Sequence, residues 1–284
     1  MPSTPSPAVL DFTDVSFRRG DAVILPGVSF TVHQGEHWVM LGANGAGKST
    51  ILGLAGGTSH PTSGTVDVLG ERVGRVELRA LRERIGHVNP RHPLQSALLI
   101  EEVILTGLTG STEMMMRWEP TAAERARARE LMGTFGLAAK ADARWPTLSQ
   151  GERGRTLVAR ALMTSPELML LDEPSTGLDV AAREQLLETL EQLPIHDPDL
   201  TTLLVTHHLE EIPPITTHAL LLRDGEVTAA GPIHEVLTSQ AVSETFDHPI
   251  RVSVDDGRWQ ARTGSRRAAS MPELVPVPAR AGEK

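Results

Sequence analysis

H-W-V-M-L-G-A-N-G-A-G-K-S-T, residues 37–50, is the stretch from which the fold can be read. Residues 37–41 are a short apolar run of the kind that forms a buried central strand. Gly42, Ala43, Asn44, Gly45, Ala46, Gly47, Lys48, Ser49 and Thr50 follow in the pattern G-x-x-x-x-G-K-[ST], with a helix expected to begin near Lys48. The glycines let backbone N–H groups turn inward around phosphate oxygens, and the helix N-terminus adds partial positive charge. Lys48 would reach the β- and γ-phosphates of a nucleotide, and the Ser49 hydroxyl would bind Mg²⁺. A glycine-rich turn with an incidental lysine is the competing reading; the flanking strand and helix argue against it.

A second anchor is M-L-L-D-E-P (169–174), a buried-strand run that ends in two carboxylates. A carboxylate at the C-terminal edge of a strand beside the phosphate loop can hold Mg²⁺, the role expected of Asp172. Glu173 would point elsewhere and polarise a water for attack on the γ-phosphate. Between the anchors, S-Q-G-E (149–152) has the spacing of a capping box ahead of a helix running to about Met163. T-A-A-E (121–124) repeats that spacing and opens a helix towards Phe135.

The remaining pattern is that of an α/β protein. Residues 9–19 and 28–32 read as strands, and the turn cluster 58–64 precedes short strands expected at 65–69 and 72–76. Residues 77–163 are mostly helical in pattern. Apolar strand runs at 168–171 and 203–205 enclose a helix at 180–193, an alternation that predicts a parallel, doubly wound sheet. Residues 219–222 and 226–229, joined by R-D-G, form a hairpin-like pair. The Pro- and Ser-rich residues 1–8 are expected to be a disordered lead-in, and residues 241–284 a partly disordered extension.

Composition narrows the function. Of 284 residues, 40% are hydrophobic and 22% charged, enough for a substantial core. A net charge of −9 gives no support for nucleic-acid binding, and none is expected. The absence of cysteine excludes disulfides and thiolate metal sites. The N-terminus shows no charged and apolar leader pattern, and no run reaches the roughly 18 apolar residues that span a bilayer. The chain is therefore expected to be soluble.

With L-S-Q-G-E (148–152) lying between the two anchors, the chain resembles the ATP-binding subunits of ABC transporters over about residues 9–240. The order is phosphate loop, L-S-Q-G-E, the carboxylate strand ending at Asp172 and Glu173, S-T-G-L-D (175–179), then V-T-H (205–207). The resemblance implies a P-loop NTPase (RecA-like) core with an antiparallel β subdomain and an inserted α-helical subdomain at about 89–150. Ser149, Gly151 and the helix N-terminus make an anion site. In the family it meets the γ-phosphate bound by a second subunit, so a dimer around two MgATP is implied. Asp179 would couple the two sites, and His207, just after V-T, would touch the γ-phosphate. His208 would point to the other face and stay a polar loop residue.

Two positions depart from the family pattern. The aromatic that stacks on adenine is replaced in V-S-F-R-R-G (15–20) by Arg19, whose guanidinium can stack on a ring, with Phe17 as the alternative. The family carries a glutamine after a strand that I-G-H-V (85–88) resembles; Pro90 stands about where it belongs, leaving Gln95 or Asn89 as substitutes. L-L-I-E-E-V-I-L (98–105) and M-M-M-R-W (114–118) are the apolar elements of the helical part, serving either as a docking face or as core.

The expected function is an ATPase subunit that pairs with a copy or a second ATPase subunit. It would energise separate transmembrane permease subunits at the cytoplasmic face of the membrane, with a substrate-binding protein as a further partner. ATP and Mg²⁺ are the implied cofactors. Lys48, Glu173 and His207 are the expected catalytic residues, and Ser49 and Asp172 the expected metal ligands. The alternative is a soluble ABC-type ATPase acting in translation, cofactor assembly or DNA repair. The single module and the lack of long insertions weigh against it. T-H-H-L-E-E-I-P (206–213) and the altered glutamine loop also resemble a molybdate or iron-type uptake branch.

Overall fold

In the strand His37–Leu41, alternate side chains enter two different hydrophobic cores. Trp38 and Met40 pack on one side of the sheet, Val39 and Leu41 on the other. The same division runs through Leu168–Leu171 and Ala219–Leu222. A strand projects successive side chains to opposite faces, so a strand apolar at every position is buried on both.

The computed structural model describes residues 6–94 and 97–263. The elements in chain order begin with β1 (Ala8–Arg19), β2 (Ala22–His33), β3 (His37–Leu41), α1 (Lys48–Ala55), β4 (Ser63–Val68), β5 (Glu71–Arg72), α2 (Leu78–Glu83) and β6 (Ile85–Val88). They continue with α3 (Ile100–Leu105), α4 (Ala122–Thr134), α5 (Gln150–Ala161), β7 (Leu168–Asp172), α6 (Val180–Glu191), α7 (Leu193–His196) and β8 (Thr201–Thr206). The last are β9 (His218–Arg223), β10 (Glu226–Pro232), α8 (Ile233–Val236), α9 (Ser239–Phe246), β11 (Ile250–Asp255) and β12 (Arg258–Thr263).

The larger sheet has the order β10-β9-β3-β8-β7-β6, parallel throughout except for β10 at one edge. The antiparallel sheet β2-β1-β4-β5 covers α1 and one face of the larger sheet, sharing a core that includes Phe12, Leu25, Ile51 and Val66. Helices α3 to α6 build the core on the opposite face. This is the expected P-loop architecture. It places the C-terminal ends of β3, β7 and β8 side by side, where a ligand meets an open α/β sheet.

Both expected capping boxes form. The Thr121 hydroxyl accepts from the Glu124 N–H at 3.2 Å while the Glu124 carboxylate accepts from the Thr121 N–H at 2.6 Å. Ser149 and Glu152 repeat the exchange at 3.2 and 2.8 Å. The methionine run divides: Met114 and Trp118 pack on the core, whereas Met115 is 55% and Met116 99% exposed.

Two expectations need correction. The strand expected at 72–76 is only Glu71–Arg72, because the chain turns where Arg75 N–H bonds the Arg72 carbonyl. Within the mostly helical stretch 77–163, β6 forms at I-G-H-V (85–88) and completes the parallel sheet against β7. Residues 6–8 are not a free lead-in: the Ser6 and Pro7 carbonyls bond His33 and Gln34, and β1 starts at Ala8. Of the extension expected to be partly disordered, residues 241–263 form most of α9 and the β11–β12 hairpin, with Asp256-Gly257 at its turn. Residues 1–5, Gln95 and residues 264–284 lie outside the described residues.

Thr121→Ala removes half of the α4 capping box and is expected to cost about 1 kcal/mol. In a chain of this size that lowers the thermal midpoint by roughly 2–4 °C. Circular dichroism melts would measure it, and an unchanged midpoint would show the cap to be dispensable.

Candidate nucleotide site

The loop after β3 is held between two backbone surfaces. A Cβ at Gly42 would lie 2.3 Å from the Leu222 carbonyl oxygen on β9, so only glycine fits where the loop leaves the sheet. Gly47 has φ 105°, a conformation that side chains resist, and a Cβ there would meet Leu25 of β2 at 2.8 Å. The Ala46 carbonyl accepts from Gly225 N–H at 3.1 Å, tying the loop to the β9–β10 turn. The loop then enters α1, where the Gly47 carbonyl accepts from the Thr50 and Ile51 N–H groups at 3.0 and 3.1 Å; N–H groups at the start of a helix lack carbonyl partners in the preceding turn and suit an anion.

Lys48 is 6% exposed, and its Nζ donates to the Gly42 and Ala43 carbonyls at 2.7 and 2.9 Å. Burial pulls its pKa down, and the charges of Glu173 and Asp172 oppose that pull. The ammonium is thus fixed by the loop it serves.

Asp172 closes β7, half-buried, and accepts from Asn89 Nδ2 at 3.3 Å. Burial raises its pKa, His87 opposes the rise, and the neighbouring Glu173 adds to it. Glu173 sits at φ 48°, a left-handed conformation uncommon for a residue with a side chain. Its N–H bonds the Val205 carbonyl at 3.0 Å, so the chain turns sharply at the end of the sheet. Glu173 Oε1 and His207 Nδ1 are 3.2 Å apart. His208 is exposed, its ring 4.1 Å from that of His207. The Thr206 hydroxyl bonds the Glu211 carboxylate and accepts from His208 N–H, which fixes the turn after β8.

Lys48, Asp172, Glu173 and His207 therefore meet in one place, with Asn89 beside them. Asn89 rather than Pro90 contacts Asp172, and Gln95 lies outside the described residues. Arg19 is exposed at the end of β1, opposite Ala22, whereas Phe17 is partly buried against the core. That burial leaves Arg19 as the freer group for a flat ligand.

Ser149, Gly151 and Asp179 form a separate surface. Ser149 caps α5, and Asp179 caps α6 through a 2.8 Å bond from the Ala182 N–H. A Cβ at Gly151 would lie 2.8 Å from that of Ala182, so the two helix starts pack in direct contact. Ser149 and Asp179 are both exposed. The Leu222 carbonyl that excludes a side chain at Gly42 had no signal in the sequence; of the two substitutes named for the glutamine, Asn89 is the one seen beside Asp172.

Comparison with known proteins decides the family. The family described as ABC transporter matches residues 25–176. The uncharacterized ABC transporter ATP-binding protein YlmA of Bacillus subtilis (strain 168) is 42% identical over 250 residues, covering 86% of this chain and 93% of its own. The chain belongs to the ABC transporter ATP-binding proteins. As such it is an ATP-binding ATPase subunit. Nod factor export ATP-binding protein I of Burkholderia orbicola (strain AU 1054) is 35% identical, covering 83% of this chain and 74% of its own. The ATP-binding cassette MJ0796, solved as a dimer in a post-hydrolysis state with ADP and phosphate, is 27% identical at a TM-score of 0.67, covering 79% and 98%. Among the described residues, no helix of this ABC subunit is long and apolar enough to cross a membrane.

In this ABC subunit the charge of Asp172 is disfavoured by burial and by Glu173. The folded pKa lies above the unfolded one, so the penalty appears as pH rises through the folded value and vanishes below the ordinary aspartate value of about 4. Asp172→Asn is therefore expected to raise the thermal midpoint of the ligand-free protein at pH 7 by a few degrees, on a scale of roughly 2–4 °C per kcal/mol. The gain should disappear below about pH 4. A variant less stable than the parent at pH 7 contradicts the electrostatic account.

Proposed function

We propose that two copies of the chain, or the chain and a second ATPase subunit, close head-to-tail around two ATP molecules and drive a separate membrane permease from its cytoplasmic face. The observation that carries this reading is the 3.2 Å approach of Glu173 to His207 beside the buried, loop-held Lys48. Lys48 and the N–H groups of residues 42–50 hold the phosphates. Glu173 orients the attacking water, and His207 contacts the γ-phosphate. Catalysis of this kind is mostly positioning and charge stabilisation.

The oxygen donors fit Mg²⁺: Ser49 is the second residue of α1, Asp172 ends β7, and the Asn89 amide stands next to Asp172. Mg²⁺ is usually held by one or two carboxylates together with substrate phosphates, so this small donor set is of the right kind. When bound, Mg²⁺ neutralises the negative charge that develops on the phosphates.

The exposed caps Ser149 and Asp179, with the close-packed Gly151, support an anion site that meets the γ-phosphate held by the other subunit. Arg19 stacks on the adenine. Met115 and Met116 offer an adaptable apolar surface to the permease. The transported substrate is recognised by the permease or by a substrate-binding protein. Residues 206–213 and the altered glutamine loop resemble a molybdate or iron-type uptake branch, whereas a relative 35% identical is named for Nod factor export.

Glu173→Gln is expected to bind ATP, lose turnover and accumulate as a dimer with trapped nucleotide; size-exclusion chromatography with ATP and phosphate release measure this. Normal turnover in that variant would sink the assignment. The two histidines separate the same way. His207→Ala should lower kcat by about a hundredfold or more, in the range of lost transition-state donors, and His208→Ala should leave it nearly unchanged. Equal effects contradict the role given to His207.

A further inference from the structure

The β11–β12 hairpin does not end the fold as a loose appendage. It grips the turn that follows His207. Trp259 is 6% exposed and its ring lies 5.3 Å from that of His234 on α8, which seats the hairpin on the body of the protein. Next to it, Arg258 Nη1 donates to Glu184 Oε2 at 2.6 Å and Nη2 to Glu184 Oε1 at 3.3 Å. The same Nη2 also donates to the Glu210 carbonyl at 3.1 Å. The Ala261 N–H donates to the Glu210 carboxylate at 3.2 Å.

Those bonds end on two elements that frame the nucleotide site. Glu210 lies in the one-turn segment Leu209–Glu211, two residues past His208. Glu184 is on α6, which starts at the Asp179 cap and packs through Ala182 on Gly151 of α5. One guanidinium thus spans the His207 turn and the helix whose start carries Asp179. We propose that Arg258 is a positioning residue for ATP hydrolysis, holding the His207 turn in register with α6 and so with the exposed caps Ser149 and Asp179. This rests on the reading of His207 as the γ-phosphate contact.

Ordinary surface glue is the competing account, and magnitudes separate the two. The Arg258 and Glu184 side chains are 28% and 38% exposed, and partly exposed ion pairs contribute little to stability. Geometry is a different matter: a displacement of about 1 Å at a catalytic group can cost on the order of a hundredfold in rate. A positioning role therefore predicts a loss in kcat out of proportion to any loss in stability. The planar fork of arginine also matters, because lysine can supply the charge but cannot make three directed bonds to two elements.

The test is steady-state ATP hydrolysis by the full-length chain, with thermal midpoints measured in parallel. Arg258→Ala is expected to lower kcat between about ten- and a hundredfold while KM for ATP stays within about twofold. Arg258→Lys should recover part of the loss. Glu184→Gln leaves the bond to the Glu210 carbonyl in place and should lower kcat in the same direction, and the Arg258→Ala/Glu184→Gln double variant should be little worse than Arg258→Ala alone. If Arg258→Ala does not fold, Arg258→Lys and Glu184→Gln carry the test, and unchanged kcat in both overturns the proposal. Unchanged kcat in Arg258→Ala, with His207→Ala inactive, overturns the positioning role and leaves the assignment of His207 standing. Full turnover in His207→Ala overturns both.

Discussion

The Leu222 carbonyl on β9 leaves no room for a side chain at Gly42, and the rest of the nucleotide site depends on that close approach. It lets the chain leave β3 against its neighbour strand and begin the turn that ends in α1. A residue with a Cβ would push the loop off the sheet by more than an ångström, and Lys48 would move with it. The antiparallel sheet adds the second wall: Leu25 packs where a Cβ of Gly47 would be. A mobile glycine-rich segment is thereby a shaped cradle, with its conformational entropy already lost on folding.

Charge is stored around the cradle. Lys48 is buried and desolvated, and the two carboxylates that follow β7 stand close enough to perturb it. Asp172 is itself pushed toward its neutral form by burial and by Glu173. In the ligand-free protein the burial of these charges is a cost to stability. Glu173 adds backbone strain, with its φ of 48°. Strain and crowded charge concentrate here because the parallel strands fix the backbone on either side, so the local penalty cannot relax into the fold.

The doubly buried sheet explains how distant parts of the chain can answer to one another. Helices α5 and α6 meet through Gly151 and Ala182 with no spare space, and the turn after β8 is fixed by Thr206, Glu211 and Glu210.

How much was legible in the residues follows from the range of the interactions. The phosphate loop, the carboxylate strand, both capping boxes and the His207 turn are local patterns, each set by spacing within a few residues, and the sequence alone determined them. The hairpin at 250–263 was harder, because a polar hairpin acquires its structure from a neighbour. The choice of Asn89 as the partner of Asp172, the partial burial of Phe17 beside an exposed Arg19, and the grip of Arg258 on Glu184 and Glu210 all join residues far apart in the chain. Only the tertiary structure decided those, because spacing along a chain carries no information about which surfaces the folded sheet brings within hydrogen-bond distance.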